Sequence, residues 1–231
     1  MNALSLFDEL PQEIILWGDY AKTLSFDETN LIKQIMSLHN GGKPFDVDPC
    51  YSIGRFWTGL PQPTRKFDIN PQKTGVEQAS ADSLPIESES VESVMYDPPF
   101  LTGSAGEDAK PGKIKARFSY FRTMSDLWRF YKASLAEFHR ILRHDGSLVV
   151  KCQDCISSST QYLSHVEIIK MAEKQGFYTK DLFILGNNQV MWSPNMIEQQ
   201  HARKTHSYFL VFRKNAKMRD QIQKVREISY E

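Results

Sequence analysis

Val91-Glu92-Ser93-Val94-Met95-Tyr96-Asp97-Pro98-Pro99-Phe100 is the stretch on which the reading of this chain turns. Its first six residues form a short, mostly apolar, β-prone run, the composition of a buried strand. The next four end that strand abruptly, because Pro99 has no N–H to donate and stiffens the turn. An Asp-Pro-Pro turn after a strand often only breaks it. This one also offers chemistry: the Asp97 carboxylate and the Pro98 carbonyl are two acceptors that can point at the two hydrogens of an exocyclic amine. Phe100 adds a ring face on which a flat heterocycle can stack, a contact worth about 1–3 kcal/mol per base.

Outward from this stretch, strand candidates alternate with amphipathic helices, the pattern of an α/β fold with a mostly parallel sheet. Upstream, a helix is predicted over Glu28–His39, capped by Asp27, with Leu31, Ile35 and Leu38 on one face and Asn40-Gly41-Gly42 as its stop. Strands are expected at 44–48, 66–69 and 76–81. Downstream, a polar segment over 101–123 precedes a helix over 125–142. Thr123 and Asp126 have capping-box spacing there, and Leu127, Tyr131, Leu135, Phe138 and Leu142 recur as a core stripe. A turn at 143–146 leads to a buried strand at 147–152, a helix over 160–174 stopped by Gly176, and strands at 182–185 and 207–212.

With 231 residues the chain can bury a substantial core in one large domain. Its 28 basic and 28 acidic residues cancel, so contact with nucleic acid would have to use local patches. Three cysteines (Cys50, Cys152 and Cys155) do not make a secreted disulfide framework. No basic-then-apolar leader is visible, and no apolar run approaches the roughly 18 residues of a membrane span, so a cytoplasmic protein is expected. Cys152-Gln153-Asp154-Cys155 has no second pair at finger spacing, and His201 and His206 have no third partner; no metal is expected.

A second motif follows the first expected strand: Asp48-Pro49-Cys50-Tyr51-Ser52-Ile53-Gly54. Small residues in such a position permit a tight strand-to-helix turn whose backbone can approach a ligand closely. Asp68 stands 20 residues past Asp48 at the end of the next strand, where an acid is the usual partner of two ribose hydroxyls. Ala81-Asp82-Ser83-Leu84-Pro85 lies between the third and fourth strands. Each segment alone also fits a surface turn. Their order, each after an expected strand, is the informative part.

Together these motifs resemble the amino-methyltransferases that use S-adenosylmethionine on adenine N6, cytosine N4 or guanine N2. The signature (Asp/Asn/Ser)-Pro-Pro-(Tyr/Phe/Trp) matches at 97–100, and Asp-Pro-x-x-Gly-x-Gly matches at 48–54 with Ser52 at the first glycine. The resemblance covers residues 25–214 and implies a doubly wound, seven-stranded, Rossmann-like class I methyltransferase domain with its last strand antiparallel. An N-terminal extension (1–24) and a polar tail (215–231) would flank it. It implies S-adenosylmethionine as cofactor, held by Asp48, Pro49, Cys50, Tyr51, Ser52, Gly54, Asp68, Asp82, Ser83, Leu84 and Asp97. In the family the acid matching Asp82 binds the cofactor's adenine amine, and the next residue gives a backbone donor to the ring. Asp97, Pro98, Pro99 and Phe100 would form the catalytic group. Asp at the first motif position favours adenine N6 in DNA; the alternatives are an RNA amino-methyltransferase and a non-catalytic subunit that kept the fold.

Lys110, Lys113, Lys115, Arg117 and Arg122, interleaved with aromatic rings, suit phosphate contacts around a flipped nucleotide, and a solvated loop is the other reading. His201, Arg203 and Lys204, ahead of the last strand, are a second candidate nucleic-acid surface. No separate target-recognition domain is visible, which points to a short target site, or to a specificity partner or second copy of the chain. Lys151 and Asp154 are expected at the rim of the site, as pocket walls or as a salt bridge.

Overall fold

The computed structural model of the chain describes residues 20–98, 121, 123–157, 159–187 and 201–215. An edge strand β1 (Leu24–Ser25) leads into α1 (Glu28–His39), β2 (Val47–Asp48), a single 3-10 turn (Arg55–Trp57), β3 (Arg65–Asp68), β4 (Glu77–Gln78) and β5 (Val91–Tyr96). Then come α2 (Met124–Ile141), β6 (Leu142–Cys152), a hairpin of β7 (Cys155–Ser157) with β8 (Thr160–Tyr162), α3 (Ser164–Lys174), β9 (Phe177–Gly186) and β10 (His206–Lys214).

The main sheet runs β1-β9-β10-β6-β5-β2-β3-β4. From β4 to β6 every neighbouring pair is parallel, and β10 lies antiparallel between β6 and β9. The chain steps outward from β2 through β3 to β4, then returns to place β5 on the other side of β2. The topological switch point therefore falls between β2 and β5, where open α/β sheets bind ligands beyond the strands' carboxyl ends. This is the expected doubly wound class I methyltransferase sheet with a reversed last strand, extended at one edge by the two residues of β1.

Strand alternation divides the core into two layers. Val94 and Tyr96 of β5, Leu148, Val150 and Cys152 of β6, and Leu210 and Phe212 of β10 pack with α2 and α3. Met95, Val149, Phe209 and Val211 pack on the other face with Leu31, Ile32, Ile35 and Met36 of α1. Both major helices are capped as their sequences predict. Asp27 accepts from the Asn30 N–H at 3.0 Å, and Thr123 accepts from the Asp126 N–H at 3.1 Å while donating to its carboxylate at 2.8 Å. Tyr96, the residue before Asp97, is fixed from three directions. Its ring meets Phe138 edge-on at 4.8 Å and Tyr131 at 5.9 Å, and its hydroxyl donates to Ser134 Oγ at 3.3 Å.

Several local expectations are corrected. Leu38 is 54% exposed, because the buried stripe of α1 is centred on Ile32, Ile35 and Met36 and Leu38 lies at its margin. The turn expected at 143–146 belongs to β6 itself. The register jumps there from Val91↔Leu142 to Ser93↔Ser147, and Asp145 takes up the slack at φ 59°. Gly146 is needed at this bulge, since a Cβ would stand 2.9 Å from the Arg143 carbonyl oxygen. The helix expected from 160 begins at Ser164, because Thr160–Tyr162 folds back on Cys155–Ser157 as a strand. The helix expected after the 48–54 loop is only the 3-10 turn Arg55–Trp57.

Phe138 is fully buried between Tyr96 and the α2 core, whereas Leu38 faces water. In urea unfolding, Phe138→Ala is expected to lower stability by about 3–5 kcal/mol. Leu38→Ala is expected to change it by less than about 0.5 kcal/mol.

Candidate active site

The loop that follows β2 is organised by a buried acid. Asp48 is 3% exposed, and both of its oxygens are engaged: Oδ1 accepts from the Cys50 N–H at 2.8 Å and Oδ2 from the Trp57 indole N–H at 2.6 Å. The carboxylate therefore ties the loop's start to its end. Burial pushes its pKa up to about 7; the two hydrogen bonds pull the other way, and the nearby carboxylates of Asp97 and Asp68 add to the rise. Pro49 is buried behind it.

Ser52 and Gly54 both adopt left-handed backbone, φ 52° and 71°. A serine there carries strain of order 1 kcal/mol. It is held by its N–H, which donates to Asp68 Oδ2 at 2.8 Å. The Ser52 hydroxyl is buried with no hydrogen-bond partner among the described residues. Gly54 cannot be replaced, because a Cβ would overlap the Tyr51 hydroxyl and come 2.6 Å from its ring. Tyr51 is fixed in that position by donating to Gln62 Oε1 at 2.6 Å.

Asp68, at the end of β3, also accepts from the Asn70 N–H at 2.8 Å through Oδ1. Each of its oxygens thus holds one bond and keeps a further acceptor site, as gripping a diol requires. Asp82 is exposed and accepts from the Ser80 hydroxyl. The backbone donors after it are already taken within the protein. The Ser83 N–H goes to the Ser80 carbonyl at 2.9 Å, and the Leu84 N–H goes to Glu137 Oε1 at 2.7 Å, which Arg140 clamps at 2.6 Å. Leu84 is a core residue. The expected backbone donation to a ligand from the residue after Asp82 is therefore absent in this conformation, and the Asp82 carboxylate is what this loop presents.

Asp97 follows β5 with its side chain 29% exposed. Burial raises its pKa, Lys151 opposes that rise and Glu28 adds to it. The Lys151 ammonium lies 3.6 Å from Asp97 Oδ2 and 2.6 Å from Glu28 Oε1, and is 16% exposed. It also stands over the rings of Phe56 at 5.2 Å and Phe209 at 5.7 Å. Burial works against its charge, but Asp97 and Glu28 outweigh it and raise its pKa. Pro98 is buried. Pro99, Phe100, Lys110, Lys113, Lys115, Arg117 and Arg122 lie outside the described residues.

His201, Arg203 and Lys204 sit in the segment entering β10. Gln153, just past β6, donates to the carbonyls of His206 at 2.9 Å and Lys204 at 3.5 Å, so this segment runs along the same sheet edge as Asp97. Asp154 is buried and lies 2.7 Å from His165 Nδ1, hydrogen-bonded within the fold. Cys152 and Cys155 are free thiols, the first fully buried in the sheet. The structure thus gathers Asp48, Asp68 and Asp97 at the carboxyl ends of neighbouring parallel strands. Sequence reasoning did not find Glu28, Phe56, Trp57 or Phe209, which sit in no motif. An acid opening a helix looks like any favourable helix start, and isolated aromatic residues look like core.

A family model for N6/N4 DNA methylases matches residues 91–231, more than half of the chain. The chain belongs to the DNA methylase family. It is the family that the motifs at 48–54 and 97–100 resemble. Among solved structures, a provisionally named DNA modification methylase from Thermus thermophilus, complexed with S-adenosyl-L-methionine, is 21% identical. That match covers 57% of this chain and 50% of the other, with a TM-score of 0.39. The cytosine-N4-specific PvuII DNA methyltransferase is 17% identical over 57% of this chain and 45% of its own, TM-score 0.43. A provisionally named Haloferax volcanii methyltransferase, in complex with the Trm112 activator, is 12% identical over 81% and 89%, TM-score 0.48. The chain spans about half the length of the first of these structures and its sister forms. Comparison with curated proteins finds no match. No helix among the described residues is long and apolar enough to cross a membrane.

The raised pKa of Asp48 has a definite sign. Between its ordinary value of 3.8 and about 7 the native state holds a proton that the unfolded chain has released, so rising pH destabilises the fold across that window. Relative to Asp48→Asn, wild-type stability is expected to fall by a few kcal/mol from about pH 4 to about pH 7 and then level off. Urea midpoints of both proteins at three pH values measure this difference.

Proposed function

We propose that this methylase domain transfers a methyl group from S-adenosylmethionine to an exocyclic amine of a nucleobase, with adenine N6 in DNA as its target. One observation carries the reading. The partly exposed Asp97 carboxylate stands at the carboxyl end of β5, beside the β2 loop and Asp68 on neighbouring strands. Two features of the chain fit a nucleoside in that loop: the buried Ser52 hydroxyl, without a hydrogen-bond partner among the described residues, and the spare acceptor capacity of Asp68.

S-adenosylmethionine, when bound, supplies a methyl group on a sulfonium as the electrophile. The adenine amine is a poor nucleophile because its lone pair is delocalised into the ring. Acceptance of its two hydrogens by Asp97 and the Pro98 carbonyl favours a pyramidal nitrogen and localises that pair. The new N–C bond then forms from the nitrogen lone pair, the old C–S electrons stay on sulfur, and the product ammonium loses its proton to water. The carboxylate balances the transient positive charge on nitrogen, and holding the reactants in line contributes about 7–11 kcal/mol. For a duplex target the base would leave the stack, at a cost of a few kcal/mol, and lie against Phe100.

Asp rather than Ser at the head of the motif supports adenine over cytosine N4. The carboxyl-edge position of Lys204 and its neighbours supports nucleic-acid contact there. Family membership leaves cytosine N4 as the second reading.

Incubation with methyl-labelled cofactor and either DNA or total RNA, followed by nucleoside analysis, is expected to give N6-methyladenine in DNA. Label only in RNA, or only as N4-methylcytosine, would reassign the substrate. Asp97→Ala is expected to abolish transfer while cofactor Kd changes less than about threefold; near-normal turnover removes Asp97 from the chemistry. For Phe100, Ala is expected to cost roughly 10- to 100-fold in kcat/KM and Tyr little, consistent with a stacking contact of about 1–3 kcal/mol. Equal rates for the two would contradict stacking.

A further inference from the structure

We propose that Lys151, clamped by Glu28, is a positioning residue that keeps Asp97 ionised and stands on the side of one of its carboxylate oxygens, leaving the other for the target amine. The inference rests on the reading of Asp97 as the amine's acceptor and extends it to residues outside the motifs.

The placement follows from strand alternation. Val149 of β6 points toward the α1 layer, so Lys151, two residues on, emerges on the same face and meets the first residue of α1. There Glu28 Oε1 holds the ammonium at 2.6 Å, and the ammonium approaches Asp97 from the Oδ2 side at 3.6 Å. Among the described residues Oδ1 makes no hydrogen bond or ion pair, which leaves it for an incoming amine.

The charged and titratable groups facing Asp97 are Lys151 of β6, Glu28 of α1, Asp48 of β2, Cys50 of the following loop and Tyr131 of α2. Lys151 is the one cation in that set. Two of the others are carboxyl groups, and burial favours the protonated acid. A protonated Asp97 would keep a carbonyl acceptor but lose its negative charge and turn its other oxygen into a donor, so it would accept more weakly from the amine and no longer balance positive charge on the nitrogen. Lys151 is therefore the group that favours the charged, stronger acceptor at this half-buried position.

The same ammonium rests on Phe56, two residues past Gly54, and on Phe209 of β10. The catalytic turn, the cofactor loop and the reversed last strand thus share one contact point. The aromatic faces offer the ammonium no acceptor oxygen; among the described residues its oxygen neighbours are Glu28 Oε1 at 2.6 Å and Asp97 Oδ2 at 3.6 Å.

The test is a carbon-13 NMR titration of the aspartate carboxyls in wild type, Lys151→Met, Lys151→Gln and Lys151→Arg, with the Asp97 signal assigned from Asp97→Asn. Removing the cation is expected to move the Asp97 midpoint upward by about one to three pH units. Lys151→Arg is expected to restore most of the wild-type value. In transfer assays the acid limb of the kcat profile should move upward by the same amount in Lys151→Met, with cofactor Kd unchanged. Superimposable Asp97 titrations in wild type and a folded Lys151 variant would overturn the proposal. Should neither neutral variant fold, wild type alone decides: Asp97 must be ionised at pH 7, and a carboxyl still protonated there overturns it. If wild type binds the cofactor yet methylates no nucleobase, the function reading fails while these titrations still decide the role of Lys151.

Discussion

Two acids end adjacent strands in a place from which water is largely excluded, and the surrounding structure answers that cost. Burial favours the neutral form of both Asp48 and Asp97. The two are compensated differently. Asp48 receives neutral donors, the Cys50 N–H and the Trp57 indole, which fasten a loop without fixing its charge. Asp97 receives a cation, Lys151, which favours the carboxylate itself. The first arrangement suits a structural clasp and the second suits a group that must accept hydrogen bonds at neutral pH. The same residue type at equivalent strand ends is turned to different work by its partners.

The fold makes those partners available through the sheet's alternation and its switch point. Parallel pairing of β3, β2, β5 and β6 brings their carboxyl ends to one edge. Antiparallel β10 then enters the sheet from that edge and brings Phe209 beneath the Lys151 ammonium, opposite it in register. On the other face, α2 holds Tyr96 with two rings and a serine, so the residue preceding Asp97 has little freedom. Orientation of the acid is thus inherited from the core, with only the last side chain left partly exposed.

Much of this was legible in the sequence. Strand β5 and helix α1 have the expected bounds, since both are long or strongly patterned and carry explicit end signals in Asp97-Pro98-Pro99 and Asp27. The 48–54 loop, Asp68 and Asp97 lie together at one sheet edge, as the order of their motifs along the chain implied. Tertiary pairing overrode local pattern elsewhere: Thr160–Tyr162 became a strand because Cys155–Ser157 lay opposite it, and 143–146 was absorbed into β6 by its pairing with β5. Glu28 and Trp57 were invisible for a related reason. Their roles come from partners, Lys151 and Asp48, far away in sequence or set by a loop's closure, and no residue type announces such a partner in advance.

If one cleft at the carboxyl edge holds a methyl donor against Asp97, a crystal structure with S-adenosylhomocysteine, the demethylated cofactor, will show the ribose on Asp68, the nucleoside along the 48–54 loop, and the sulfur turned toward the Asp97 side of the cleft. A ligand bound away from Asp68 and Asp97, or no binding at millimolar concentration, would rule that cleft out.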